Sequence, residues 1–379
     1  MTTNTNSVSD VKSTLRPEDM FISFWLDNDL LVLAGDCNGV IVEEWVQVNK
    51  LLHLIREFED QVLQLRHYRQ FIVKEFRPYC SDETSNPTRP IDEILSEIFS
   101  IILPPPIFSL LENSRYQRLV IFPDTHLHLL PFHLLTGTKF SLSKKITFSE
   151  GICYSPSGSS YAYACSKKPS KEPSLGIIVV GDSTDEEMQT EAIAVSTTMP
   201  FPNKIVSNLE ELQRSSANAD FLYIITHGVS SVSSDPIKIS NEKGLSSLSL
   251  LFDGNSLRET DFFNERVPLK EGSIVILSAC SVGQLMPGTA HEIEGLLNAL
   301  FYAGASSVLA ARWPIPSVTA SAVFGGTITS IFEERDSISA AFAKAIRGAS
   351  ENQELIKLMS NSQSDIFFWG PFALYGNGL

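Results

Sequence analysis

The sequence predicts an α/β fold, a doubly wound layer structure on a mostly parallel central sheet, extended by an N-terminal α+β half. Three observations carry this. "LGIIVVGD" (175–182), "DFLYIITHG" (220–228), "SIVILSAC" (273–280) and "SSVLAAR" (306–312) are continuous apolar runs, the pattern of strands buried on both faces. Helical stretches alternate with them, which is the grammar of parallel sheets. At 379 residues and 43% hydrophobic, the chain is long enough to bury one large α/β core or two fused halves. No repeat of 20–50 residues is visible, which argues against a solenoid.

The elements follow in order. Residues 1–19 read as a disordered tail; the stretch to Glu18 is rich in Ser, Thr and Asn and has neither signal-peptide nor transit-peptide character. Residues 20–46 read as two strands, turning at Asp27-Asn28-Asp29, with "GVIVEEW" following Cys37-Asn38-Gly39. From 46 to 77, Leu51, Leu52, Ile55, Phe58, Val62 and Leu65 fall at spacings of three and four, which predicts a helix. Residues 80–90 form a linker. Ile91 to Ile102 is a second helix, stopped by Pro104, Pro105 and Pro106. "RLVIFPD" (118–124) is a short buried strand.

The Ser-rich segment within 155–174 reads as a surface linker. Helices are expected near 187–197, 208–215, 291–303, 317–334 and 336–349, and a short strand near Lys204–Val206. The division is a tail (1–19), an N-terminal half (20–155), a linker (156–174) and a second half (175–379).

The formal charge of -15 excludes a general affinity for nucleic acid, which needs clustered Lys and Arg. The acidity serves solubility, or attracts basic substrate segments. No run of about 18 apolar residues occurs, so no membrane span is expected; the nearest, Ile98 to Leu111, is broken by its prolines. Five cysteines without a CxxC pair indicate neither a disulfide framework nor a zinc site. A reducing, cytoplasmic setting is the simplest expectation. Neither GxGxxG nor a P-loop is present, so no dinucleotide or ATP site is expected, and no metal or organic cofactor is called for.

Two strand ends stand out. His227 closes "YIITH" and Cys280 closes "IVILSAC". Functional groups collect beyond the carboxyl ends of parallel strands, and neighbouring strands lie about 5 Å apart. A lone buried Cys or strand-end His is ordinarily packing; both together, His first and 53 positions apart, point to chemistry. A free thiol with a pKa near 8.5 holds little thiolate at neutral pH, so an adjacent imidazole is needed to activate it and then to protonate the leaving amine. Gly228, by its small size, and Cys280 supply candidate oxyanion N–H donors.

The sequence resembles the CHAT-domain family, a caspase-like group of clan CD cysteine peptidases, over roughly residues 20–379. The resemblance lies in "LVIFPDTHLHLLPFHLL" (119–135), "IIVVGD" (177–182), "EAIAV" (191–195), "THG", "LSAC", "HEIEGLLNALFYAGASSVLAARWPI" (291–315) and "WGPFALYG" (369–376), in that order. It implies a caspase-like sandwich and endopeptidase chemistry, with His227 as base and Cys280 as nucleophile. The caspase signature places Gly two residues after the Cys; here Gly283 is three after and Ala279 precedes it. The family often carries an acid shortly after the position of Trp313; "WPIPSVTA" has none, so either Ser317 or Thr319 takes its role or the loop differs from the family's. No TPR array precedes the domain, so regulation is expected from another polypeptide. The implied partners are a protein substrate and a regulatory protein, in defence or cell death. A catalytically silent scaffold that binds partners is the alternative, and a different thiol hydrolase, such as an amidase on small molecules, is a third reading.

Other residues have two readings. Asp182 either caps a turn or, with Ala279, lines a substrate pocket that recognises a basic P1 residue. His126, His128 and His133, with Asp124, could hold a metal but suit packing and turns better. His291 opens a helix whose Glu292 and Glu294 favour its N-terminus, or Glu292 orients the nucleophile loop. Asp253 and Asp261 are secondary candidates, and the glycine-containing loop 283–288 is expected to order on activation or substrate binding.

Overall fold

The computed structural model describes residues 11–72, 89–136, 143–226, 228–230, 248–252, 255–279, 291–313, 317–359 and 366–379. The first half contributes strands β1 (Asp19–Leu26), β2 (Asp29–Asp36), β3 (Gly39–Gln47), β4 (Arg118–Phe122) and β5 (Ile152–Tyr154). The second contributes β6 (Gly176–Val180), β7 (Asn203–Val206), β8 (Phe221–Thr226), β9 (Gly228–Ser230), β10 (Leu248–Phe252), β11 (Asn255–Arg258), β12 (Ser273–Ala279), β13 (Ala305–Ala311) and β14 (Phe372–Gly376).

Eleven of these strands form one sheet, in the order β3-β2-β1-β4-β5-β14-β13-β12-β8-β6-β7. Pairing is antiparallel between β1 and β2, β2 and β3, and β13 and β14, and parallel elsewhere. The two halves therefore share one sheet, joined where β14 lies between β5 and β13. β6, β8 and β13 are buried along their whole length, which explains why they lack alternation in the sequence. The steps from β6 to β7 and from β12 to β13 run in opposite directions along the sheet, so right-handed crossovers carry their helices to opposite faces. β9, β10 and β11 form a separate antiparallel sheet.

The helices begin where capping chemistry allows. Asp185 accepts from the N–H groups of Glu187 and Met188 at the start of Glu186–Thr198, and Asn208 accepts from Glu211 at the start of Leu209–Ser215. Pro104 and Pro105 open Pro105–Leu111 and turn it by 103° from Ile91–Ile102, as the triple proline predicts. Among the described residues no single helix is long and apolar enough to cross a membrane. Gly272 has φ +85 at the entry to β12, and a Cβ there would meet the Lys168 carbonyl oxygen at 2.1 Å.

Three local expectations change. Residues 19–47 make three strands rather than two, because Asp36 accepts from the Asn38 N–H and closes a tight turn into β3. The Ser-rich segment contains a helix, Gly158–Ser166, capped by Ser157 and anchored by the buried Tyr161, whose ring meets Phe122 edge-on. At the end of the expected tail, residues 11–14 are helical and Val11 and Leu15 are buried. The linker expected at 80–90 falls outside the described residues up to 88.

Candidate active site

β8 and β12 are parallel neighbours, and their register runs from Phe221 opposite Ile274 to Thr226 opposite Ala279. β6 flanks β8 on the other side, with Val180 opposite Ile225, and β13 flanks β12. The carboxyl ends of β6, β8, β12 and β13 thus open on one rim of the sheet. His227 and Cys280 follow Thr226 and Ala279 directly in the sequence, and both lie outside the described residues. So do the loop 283–288 and Asp253. Gly228 opens β9 and is paired with Leu250 of β10.

Asp182 lies on the same rim, two residues past β6. Its Oδ1 accepts from the Thr184 N–H (2.8 Å) and hydroxyl (2.6 Å), so this carboxylate does serve the turn that leads to the next helix. Asp261 is likewise engaged, accepting from the Arg258 N–H and the Arg266 guanidinium. His291, Glu292 and Glu294 belong to the helix His291–Ala303. Ser317 opens the helix Ser317–Thr329, within which Thr319 is fully buried.

The three histidines of the 125–135 segment are directed to separate tasks. His126 Nδ1 meets Glu59 Oε1 at 2.8 Å, and that hydrogen bond raises its pKa. His133 contacts the Trp369 carbonyl through Nε2 (2.8 Å) and the Tyr154 hydroxyl through Nδ1 (3.1 Å). Burial, reinforced by the charge of Arg312, lowers its pKa to about 3, so it is neutral. His128 is buried, and Asp124 accepts from the Leu26 N–H. Among the described residues no three His, Cys, Asp or Glu side chains gather as a metal would need.

Two residues that the sequence reading passed over matter here. Arg312, directly after β13, is buried against the Tyr154 ring at 4.1 Å; it donates to the Leu130 carbonyl (2.7 Å) and the Tyr375 hydroxyl (3.2 Å). It ties the rim to the first half of the chain. Glu191, on the helix after β6, is buried; Tyr223 of β8 and Ser278 of β12 both donate to it. Its signal was a carboxylate on the same helical face as Met188, Ala192 and Val195.

A mostly parallel sheet with helices on both faces and a rim of converging strand ends is an α/β caspase-like fold, the scaffold of a caspase-like protease. The chain belongs to the CHAT domain family, whose signature matches residues 92–377. In fold it is similar to two crystal structures of the Saccharomyces cerevisiae separase–securin complex. One matches with a TM-score of 0.56 at 12% identity, the other with 0.54 at 11%. Each match covers 98% of this chain, and 30% and 31% of the respective separase-complex chains. The fold likeness therefore includes β1–β3, which precede the CHAT match. No curated protein sequence matches the chain.

Proposed function

We propose that this chain is a cysteine endopeptidase in which Cys280 is the nucleophile and His227 its base. The observation that carries this reading is the register of β8 against β12, which sets Thr226 opposite Ala279, one residue before each proposed partner. The thiolate attacks the scissile carbonyl carbon. The oxyanion that forms is met by the N–H groups of Gly228 and Cys280. As the tetrahedral species collapses, imidazolium protonates the leaving amine and a thioester remains. Water, deprotonated by the imidazole, then releases the acid and regenerates the thiol.

Asp182 and Ala279 belong to the substrate side of this rim, with Asp182 favouring a basic P1 residue. The substrate is a protein, and the enzyme acts in the cytoplasm under control of a protein partner, as an effector in defence or cell death. Family membership supports the chemistry, and the securin bound to separase in the similar structures supports control by a partner. The test is a fluorogenic peptide panel with proteome-wide mapping of new N-termini, comparing wild type with Cys280→Ala. Cleavage lost in the variant is expected. Equal traces from both proteins would refute the reading and leave a partner-binding scaffold. Asp182→Ala is expected to weaken the preference for Lys or Arg at P1.

A further inference from the structure

Below the ends of β8 and β12, one carboxyl joins the two strands. Glu191 is 7% exposed, and its Oε1 accepts from the Tyr223 hydroxyl of β8 at 2.7 Å and the Ser278 hydroxyl of β12 at 2.6 Å. Tyr223 is fully buried, its ring edge-on to Phe324. Burying a carboxyl is costly unless hydrogen bonds compensate, and both of these come from neutral hydroxyls rather than a cation. Burial accordingly raises the Glu191 pKa, against the opposing pull of the two hydroxyls. For packing alone, apolar side chains at 191, 223 and 278 together would avoid this cost.

The placement suggests what the cost sustains. Ser278 stands two residues before Cys280, and Tyr223 four before His227. In an extended chain even spacings repeat one face. We propose that Glu191 is a positioning residue for the His227–Cys280 pair, a clamp that holds the ends of β8 and β12 at fixed separation. Its link to catalysis rests on the peptidase reading; the clamp itself does not.

Ser278→Ala, Glu191→Leu and Glu191→Gln test the clamp in the full chain. Two readouts are used: kcat and KM on a cleaved peptide, and the pH dependence of Cys280 alkylation by iodoacetamide, followed by mass spectrometry. Ser278→Ala and Glu191→Leu are expected to lower kcat about tenfold with KM within about twofold, because the perturbation is one of geometry rather than binding. The alkylation midpoint is expected to move by about half a pH unit or more. Glu191→Gln keeps an acceptor oxygen and should recover most of both.

Variants with lowered melting temperature but wild-type kcat and alkylation profile would reduce Glu191 to a packing role. If Glu191→Leu does not fold, Ser278→Ala, which removes one oxygen, decides alone. If wild type shows no Cys280-dependent cleavage, the peptidase reading fails, while the alkylation profile, which needs no turnover, still decides the clamp.

Discussion

His133 should make this protein lose stability between pH 7 and pH 5, and replacing it should flatten that loss. The imidazole is buried between the Trp369 carbonyl and the Tyr154 hydroxyl, with burial and then Arg312 lowering its pKa to about 3. Unfolded, its pKa returns to about 6.5. A native pKa below the unfolded one means that the unfolded chain binds a proton the folded chain refuses. Stability is then lost as pH falls below 6.5, by about 1.4 kcal/mol per pH unit, until the native pKa is reached. Between pH 7 and pH 5 this amounts to about 2 kcal/mol from one residue.

The assay is urea unfolding of wild type and His133→Gln at both pH values. Gln cannot titrate but retains a donor for the Trp369 carbonyl. His133→Gln is expected to be less stable than wild type at pH 7, and to show about 2 kcal/mol less destabilisation between pH 7 and pH 5. His126, raised by Glu59, has the opposite sign but titrates in both proteins and cancels. Equal losses in the two proteins, within about 0.5 kcal/mol, would show that His133 is not held neutral by its surroundings.

Asp19→Asn should be severely destabilising, because Arg118 and Asp19 form an ion pair with both side chains at 0% exposure. Removing one partner of a buried pair costs about 3–5 kcal/mol. With an unfolding entropy of about 0.8 kcal/mol/K for a chain of this length, the melting temperature should fall by about 4–6 °C in calorimetry. Burial raises the Asp19 pKa, but Arg16 and Arg118 outweigh it and the net shift is downward; the difference from the Asn variant should persist above pH 3.8 and vanish as pH falls through the lower native value. Cys153 should resist iodoacetamide at pH 8 until denaturant is added, because burial pushes its pKa to about 12; rapid native-state labelling at this residue would contradict its place in β5.

The core strands and the rim were readable because burial on both faces erases alternation and leaves contiguous apolar runs. "FLYIIT" and "SIVILSA" end where β8 and β12 end. The strand order was not readable. β14 enters between β5 and β13 through pairings such as Tyr375 with Tyr154, residues more than two hundred positions apart, and no local pattern encodes that. The helix Gly158–Ser166 is hidden in the sequence because serine-rich composition suits a linker equally well, whereas Ser157 accepts from the Ser160 N–H and caps a helix. The turn into β3 stands in the sequence as Cys37-Asn38-Gly39, with Gly39 at φ +132; what the sequence does not display is the Asp36 side chain accepting from the Asn38 N–H, which makes that turn tight enough for β3 to pair with β2 as a separate strand.

Glu191 shows how local and global specification meet at the rim. A parallel pair such as β8 and β12 has evenly spaced hydrogen bonds and apolar side chains on both faces, so packing alone discriminates weakly between neighbouring registers. Sliding β12 by one residue would turn Ser278 to the opposite face and leave the Glu191 carboxyl with one hydroxyl fewer in a buried site. The native register is the one in which both hydroxyls reach the same oxygen. A polar contact that adds little to stability can in this way penalise the wrong alignment. That alignment, with Thr226 opposite Ala279, is the geometry on which a thiol and imidazole at the next positions would depend.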